Sequence, residues 1–211
     1  MTNKIISFSL WGDNPKYTAG AMKNAIIAPE FYPGWICRFY VGSDVPEHVI
    51  EKLAEHSHVQ IVDMLGTGWN GMFWRFFAAD GDDTVISRDT DSRLGHREKA
   101  AVDEWLESDK DFHIMRDHPY HATEILGGMW GVRNGLLKGI GKMINEYSRG
   151  EYDDKYQVDQ NFLREKIYPI VKDHAMVHDE FFEHKPFPSQ FPRYPGDFVG
   201  QVFDEYNRPQ F

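Results

Sequence analysis

The sequence TVISRDTDS, residues 84–92, decides how this chain is expected to fold. Thr84–Ser87 is mostly β-branched and follows a turn-like DGDD, which indicates a buried strand. Two carboxylates, Asp89 and Asp91, follow that strand one residue apart. In extended backbone they point to one face, where like charges repel unless a positive charge lies between them. The stretch therefore predicts either a site for a hard divalent cation, which prefers oxygen ligands, or a solvated acidic turn.

Composition restricts the class of protein. The 211 residues suit one domain with an ample core, and 41% hydrophobic with 15% aromatic residues exclude a disordered chain. The net charge of −10 argues against a nucleic-acid partner. An acidic protein that binds a phosphorylated ligand needs local positive charge, from a metal ion or from a few placed Arg and Lys side chains.

Cysteine usage and hydropathy predict where the protein works. Cys37 is the only cysteine, which excludes an internal disulfide and a thiolate zinc cluster. No run of 18 apolar residues and no signal-peptide pattern occurs in the sequence. We therefore expect a soluble, cytoplasmic protein without a membrane span.

Strands and helices alternate over the first 65 residues. Short apolar strands are predicted at 4–10, 35–41 and 59–64, and helices at 17–28 and from about 44 to 56. Helical crossovers between such strands indicate an α/β domain with a central, mostly parallel sheet flanked by helices. Ligands of parallel sheets bind at the carboxyl ends of the strands, which is where the acidic pair lies.

Two features near the middle of the chain have open interpretations. Met72–Ala79 predicts a buried helix, within which Arg75 either forms a salt bridge to a carboxylate such as Asp80 or faces the ligand and the acidic pair. Gly127 and Gly128 lie in an apolar run. Such glycines indicate either close approach by a ligand or another segment, or a β-bulge or tight packing corner.

The second half predicts further helices and strands and then an irregular tail. Helices are expected at 96–107, 136–147 and 158–166, and strands at 112–115 and 174–179. Asp159 and Gln160 begin the third helix, where the dipole alone would favour a carboxylate. Prolines exclude long regular structure from residue 186 onward. His113, His118 and His121 surround Asp117 and form either an acceptor site or, preferably, a hydrogen-bonded loop.

These pieces together resemble a known class of enzymes. The α/β start, the strand running into Asp89-Thr90-Asp91, the glycine-rich 127–131, Asp159-Gln160 and a late histidine are similar to the GT-A class of nucleotide-sugar-dependent glycosyltransferases. The arrangement is most similar to retaining members with an Asp-x-Asp motif. It also resembles the amino-terminal glycosyltransferase domain of a large chlorella-virus multidomain protein, which implies a viral protein of the host cytoplasm with further carboxyl-terminal domains.

The resemblance implies a fold, an activity and a cofactor. It implies a single Rossmann-like GT-A domain that moves a sugar from a nucleoside diphosphate sugar, expected to be a UDP-sugar, to a glycan or glycoprotein acceptor with retention. It implies Mn²⁺ or Mg²⁺ held by Asp89, Asp91 and His178, with His184 as the alternative ligand. The other implied site residues are Ser9, Trp11 and Tyr17 for the base and ribose, Arg75 for the donor sugar, Lys185 for the donor diphosphate, Thr90 for donor binding in general, and Asp159 with Gln160 for catalysis.

The class would divide the chain into a nucleotide-binding half at 1–92, an acceptor and metal-completing half at 93–185, and a tail at 186–211. This sequence departs from the class pattern at Gly127, where relatives have Asn, and at Asn161, where many have an acid. Both departures leave the stereochemistry and the acceptor open. Two other functions remain: a phosphohydrolase with Asp89 as nucleophile, and a carbohydrate-binding module without catalysis.

Overall fold

A computed structural model describes residues 2–150, 155–194 and 196–210. The β-strands are β1 Lys4–Leu10, β2 Ile36–Gly42, β3 Val59–Met64, β4 Thr84–Ser87, β5 Phe112–Arg116, β6 Trp130–Val132, β7 Ala175–Asp179, β8 Val202–Phe203 and β9 Pro209–Gln210. The α-helices are α1 Pro15–Phe31, α2 Glu47–Ala54, α3 His96–Glu107, α4 Ile140–Tyr147, α5 Val158–Phe162 and α6 Tyr168–Val171. The 3-10 helices are Trp69–Asp80, Lys155–Gln157 and Lys172–His174, and a π-helix spans Leu163–Ile167.

The described residues form one seven-stranded sheet in the order β3-β2-β1-β4-β6-β5-β7. All neighbouring strands are parallel except β6, which runs antiparallel to β4 and β5. The carboxyl ends of the six parallel strands therefore meet at one edge. The chain moves outward from β1 to β3 and then returns to the other side of β1 as β4. This change of direction is a topological switch point, where open α/β sheets bind ligands.

Apolar side chains cover both faces of the sheet, as the nearly continuous apolar strands predict. On one face, β1, β2 and β4 pack against α1, α2 and α3 around Phe8, Phe39 and Trp105. On the other face, the 3-10 helix Trp69–Asp80 and helices α4 and α5 pack around Phe73, Phe76 and other aromatic rings. Burial also raises the pKa of Cys37 to about 12, which makes this thiol unreactive. The sheet is thus a rigid base for the loops at its carboxyl edge.

Local geometry corrects three predicted helices. The apolar segment around Arg75 is a 3-10 helix. The sequence could not show this, because an apolar run does not distinguish hydrogen bonds to i+3 from hydrogen bonds to i+4. Helix α4 begins at Ile140 rather than at residue 136, since Gly135 and Gly139 have positive φ angles that interrupt a helix. Helix α1 continues to Phe31 through Pro29, where a stop was expected. The predicted bounds of β1, β3, β4 and α3 agree with the structure.

The tail after residue 186 is mostly irregular, as its prolines predict, but it does not leave the domain. Its last part returns to the loop after β4, where the Phe203 N–H donates to the Asp91 carbonyl at 2.8 Å. Arg93 Nε also donates to Asn207 Oδ1 at 2.9 Å. The tail therefore fastens the loop that carries the acidic pair.

Candidate functional site

A cleft opens at the switch point between β1 and β4. Its walls come from the residues after β1, from the start of α1, from the 3-10 helix and from the loop after β4. They include seven residues that the sequence assigned to a donor and metal site: Ser9, Trp11, Tyr17, Arg75, Asp89, Thr90 and Asp91. The fold thus brings together residues that lie up to 82 positions apart in the chain.

Two cations neutralise the acidic pair. Lys16 Nζ lies 2.7 Å from Asp91 Oδ2, and Arg75 Nη2 lies 3.2 Å from Asp89 Oδ1. The Asp91 side chain is only 12% exposed, whereas that of Asp89 is 44% exposed. Burial and the charge of Asp89 raise the pKa of Asp91, and the contact with Lys16 opposes that rise. The two carboxylates therefore repel each other and need positive charge beside them.

Arg75 is held in place from several directions. Its Nη2 contacts Asp159 Oδ2 at 2.9 Å, and its Nε donates to the Gly127 carbonyl at 3.3 Å. Its backbone is fixed by β1, because its N–H donates to Ser9 Oγ at 2.8 Å and its carbonyl accepts from Ser7 Oγ at 2.7 Å. Arg75 therefore joins Asp89 to Asp159, and the salt bridge to Asp80 that we considered is not formed.

Asp159 reaches the cleft from the first turn of α5. Its side chain is buried, and its Oδ1 accepts from the Gln160 backbone N–H at 2.9 Å. Burial raises the pKa of Asp159, Arg75 lowers it, and the charge of Asp89 raises it further. A carboxylate that contacts a guanidinium inside the cleft has a role beyond favouring the helix dipole.

The glycine pair before β6 lies directly against these charged groups. A Cβ on Gly128 would overlap the Asp89 carboxylate, and a Cβ on Gly127 would overlap the Arg75 guanidinium. Neither glycine has a positive φ angle, so space rather than backbone conformation requires them. Another segment therefore approaches the glycines closely, and the approaching groups are charged side chains, which also agrees with a tight packing corner.

The structure does not bring His178 or Lys185 into the cleft. His178 lies on β7, and its two ring nitrogens contact His113 Nε2 at 2.8 Å and Glu104 Oε2 at 3.2 Å. Strand β7 is three strands from β4, about 14 Å at ordinary strand spacing. Lys185 Nζ contacts Glu183 at 2.6 Å, and His184 is exposed in the same loop. The expected set of Asp89, Asp91 and His178 is therefore not assembled, although sequence order made it plausible.

The histidine-rich loop after β5 is a hydrogen-bonded structure. Asp117 is fully buried and accepts two hydrogen bonds from Arg97, both at 2.9 Å, and one from the Val199 N–H. The Asp117 N–H donates to His121 Nδ1 at 3.1 Å. His113 lies apart from this loop, inside β5. The loop interpretation is therefore correct for Asp117, because fixed partners occupy its carboxylate.

The donor set of the cleft fits a divalent cation. Asp89 and Asp91 supply hard carboxylate oxygens at one place, and the Lys16 ammonium already contacts Asp91 as a positive charge. Among the residues that the structure describes, no group of three His, Cys, Asp or Glu side chains is close enough to hold a metal ion. A cation here would therefore have two protein carboxylates, and its other ligands would come from a bound substrate and water.

Sequence comparison identifies no relatives: no protein-family model matches the chain, and no curated protein matches it. Solved structures are similar in fold. A glycosyltransferase involved in the glycosylation of the major capsid of PBCV-1 has a TM-score of 0.56 and 13% identity, over 87% of this chain and 84% of that one. Glucosyl-3-phosphoglycerate synthase from Mycobacterium tuberculosis, in complex with Mn²⁺, UDP-glucose and phosphoglyceric acid, has a TM-score of 0.51 and 12% identity, over 83% and 68%.

The galactosyltransferase LgtC, in complex with donor and acceptor sugar analogs, has a TM-score of 0.50 and 14% identity, over 85% of this chain and 74% of that one. At such low identities the likeness concerns the fold. The chain has the GT-A fold. In this GT-A fold, the cleft lies at the switch point of the sheet, with the acidic pair on the loop after β4. Among the described residues, no helix is both long and apolar enough to cross a membrane.

One cleft residue was not predicted from the sequence. Lys16 contacts Asp91, yet it lies 75 positions earlier in the chain and belongs to no motif. A signal was present: Asn14-Pro15 marks a helix start, and a lysine in the first turn opposes the helix dipole. An unfavourable charge at a helix start indicates a partner elsewhere in the fold.

Proposed function

We propose that this chain is a metal-dependent glycosyltransferase that moves a sugar from a UDP-sugar to a hydroxyl of a glycan or glycoprotein acceptor, with retention. The observation that carries the proposal is the neutralised acidic pair in a cleft at the switch point of a GT-A fold. Folds of the same kind include a synthase in complex with Mn²⁺ and UDP-glucose and a transferase of viral capsid glycosylation. These likenesses support the donor class and the reaction class.

Asp89 and Asp91 would hold Mn²⁺ or Mg²⁺. Such an ion, when bound, neutralises negative charge on a departing diphosphate. The chain prepares this position because Arg75 orients Asp89 and the tail fastens the Asp91 backbone. Thr90 lies between the two carboxylates in the same cleft wall.

The other cleft residues suit the remaining parts of the donor. Trp11 and Tyr17 present aromatic rings for the base and ribose, and the Trp11 ring is fixed by Trp74 at a centroid distance of 6.4 Å. Arg75 lines the cleft, and Asp159 contacts Arg75 at 2.9 Å. Breaking the bond to the sugar develops positive charge at the anomeric carbon, which the carboxylate of Asp159 would stabilise, while the Gln160 N–H holds that carboxylate in place.

The cleft is narrow in this structure. It contains about 40 Å³ of free space, whereas small-molecule pockets hold about 300–1,000 Å³. Side chains at its wall must therefore move for a nucleotide sugar to enter. Arg75 and Asp159 are buried, so the side chains that can move are the more exposed ones at the cleft wall.

Thermal unfolding with and without ligands tests the proposal. UDP with Mn²⁺ is expected to raise the Tm, whereas UDP with EDTA leaves it unchanged, because the metal joins the diphosphate to the carboxylates. A panel of nucleotide sugars, scored by this shift and by slow donor hydrolysis, would then identify the sugar. If no nucleoside diphosphate raises the Tm in the presence of Mn²⁺ or Mg²⁺, the proposal is wrong.

The same experiments separate the two other functions. A phosphohydrolase would form a covalent phosphoaspartate at Asp89, which mass spectrometry of the trapped protein detects. A binding module would keep its ligand affinity after Asp91→Asn, whereas the transferase would lose metal-dependent donor binding. Asp173→Asn is the matched control, since it removes an exposed carboxylate on a different part of the chain.

A further inference from the structure

Lys16 occupies a position that helix stability does not explain. It is the second residue of α1, and its N–H donates to the Asn14 side chain at 3.0 Å. The first turn of α1 contains no acidic residue. A cation at a helix amino terminus is unfavourable, because the helix dipole already concentrates positive charge there. The lysine therefore has a role outside its own helix.

The two cations of the cleft are held very differently. Arg75 is 7% exposed and has carboxylates on both sides, so it is fixed. Lys16 is 30% exposed, and its ammonium lies 2.7 Å from Asp91 Oδ2 and 5.0 Å from the centre of the Tyr17 ring. A lysine that contacts one carboxylate through a flexible, partly exposed side chain can leave once another cation takes its place beside the nearly buried Asp91. Lys16 is therefore the removable cation.

A divalent ion at Asp91 would displace this ammonium. The two positive charges repel at contact distance, so they do not share one carboxylate oxygen. The displaced lysine lies in the first turn of α1, a 17-residue helix whose dipole favours negative charge beside its amino terminus. A diphosphate bound at the acidic pair would supply the anionic partner at this place.

We propose that Lys16 is a mobile counter-ion that covers Asp91 in the empty cleft and moves to the donor diphosphate when a divalent cation binds. This inference rests on the proposed function and adds a residue to it. Lys16 thereby weakens metal binding in the absence of donor and strengthens nucleotide binding in its presence. Metal and donor binding become linked through one side chain.

Lys16→Met tests the inference, because it keeps the length of the side chain and removes the charge. Isothermal titration calorimetry would measure Mn²⁺ affinity without nucleotide, and then UDP affinity at saturating Mn²⁺. We expect Mn²⁺ to bind about threefold more tightly, since the competing ammonium is gone. We expect UDP to bind about tenfold more weakly, since one charge-assisted contact is lost.

Two variants control the result. Lys16→Arg keeps the charge and is expected to retain most of the UDP affinity, while Lys52→Met removes an exposed lysine of α2 and is expected to change neither constant. The inference is overturned if Lys16→Met leaves either constant unchanged or weakens Mn²⁺ binding. A wild-type protein that binds neither Mn²⁺ nor UDP would overturn the proposed function as well, whereas a wild type that binds both leaves that function standing.

Discussion

An Arg-Asp dipeptide lies at the carboxyl end of both β4 and β5, and the two aspartates have different surroundings. Arg88-Asp89 directly follows β4, and Arg116 is the last residue of β5, with Asp117 after it. After β5, Asp117 is fully buried and accepts hydrogen bonds from Arg97 and the Val199 N–H. After β4, Asp89 is 44% exposed, and its cationic partner Arg75 is shared with Asp159. The same dipeptide at the same edge of one sheet thus carries an enclosed aspartate in one loop and a partly exposed aspartate in the other.

The arginines of the two dipeptides behave alike. Arg88 is buried with Glu98, and Arg116 is buried with Asp179. Backbone N–H groups of Phe181 and Phe182 also donate to Asp179, and with Arg116 they hold its pKa below the usual value although burial alone would raise it. The difference lies in the partners of the aspartates. Asp117 is enclosed by fixed donors, whereas Asp89 shares Arg75 with Asp159 and keeps an exposed side chain.

Asp117→Asn gives the largest expected effect on this comparison. Removing one partner of a buried ion pair typically costs about 3–5 kcal/mol, so the free energy of unfolding should fall by about that amount. Chemical denaturation measures it. The folded fraction should still bind UDP with Mn²⁺. An unchanged stability would show that the two Arg-Asp loops are not different in the way described.

The pH dependence of stability tests the loop after β5 a second way. Burial, with His118 and Arg193, lowers the pKa of His121 to about 4. The folded protein favours the neutral form of His121. The contribution of this residue to the free energy of unfolding is therefore complete above pH 6.5 and is lost as the pH falls toward 4. When the pH falls from 7 to 4, the free energy of unfolding of His121→Gln should therefore decrease by about 2–3 kcal/mol less than that of the wild type. Unfolding measured from pH 7 to 4 checks it, and parallel curves for wild type and variant would contradict it.

Asp91→Asn addresses the loop after β4. The rate of metal-dependent donor hydrolysis should fall about 100-fold, or about 2.7 kcal/mol, because the variant loses a charged oxygen ligand. The Tm without ligand should fall little, since Asp91 has an unfavourable charge in its own surroundings. A variant that is strongly destabilised but still active would reverse the roles assigned to the two loops.

Gly128→Ala is expected to have the smallest effect. The added methyl group would displace the Asp89 carboxylate, and UDP affinity with Mn²⁺ should fall about tenfold, or about 1.4 kcal/mol. Gly81→Ala is the matched control, because a Cβ there meets no atom within 4 Å. Equal UDP affinities for the two variants would show that Gly128 has no effect on the acidic pair.

The sequence predicted the parts of the molecule that depend on local patterns. The apolar runs gave the bounds of β1, β3 and β4, and their alternation with helices gave the parallel sheet. The position of the acidic pair followed, because the carboxyl end of a strand in such a sheet is a ligand position. Seven site residues line one cleft, and most of them were predicted only through the resemblance to the GT-A class.

The rest of the candidate site depends on which side chains become neighbours in the folded chain. A single sequence does not contain that information. His178 was placed correctly at the end of a strand, but its ring lies against His113 and Glu104. Lys16 was missed because its partner is distant in the chain. The return of Phe203 to Asp91 has no local pattern at all.

The contact between Arg93 and Asn207 has a consequence for the order in which the site is made. The two residues are 114 positions apart, so the loop of the acidic pair is synthesised early and fastened late. On the ribosome, the sheet strands up to β7 emerge before the segment that fastens this loop. The nascent protein therefore has its sheet before the segment that fastens the loop of the acidic pair has been made.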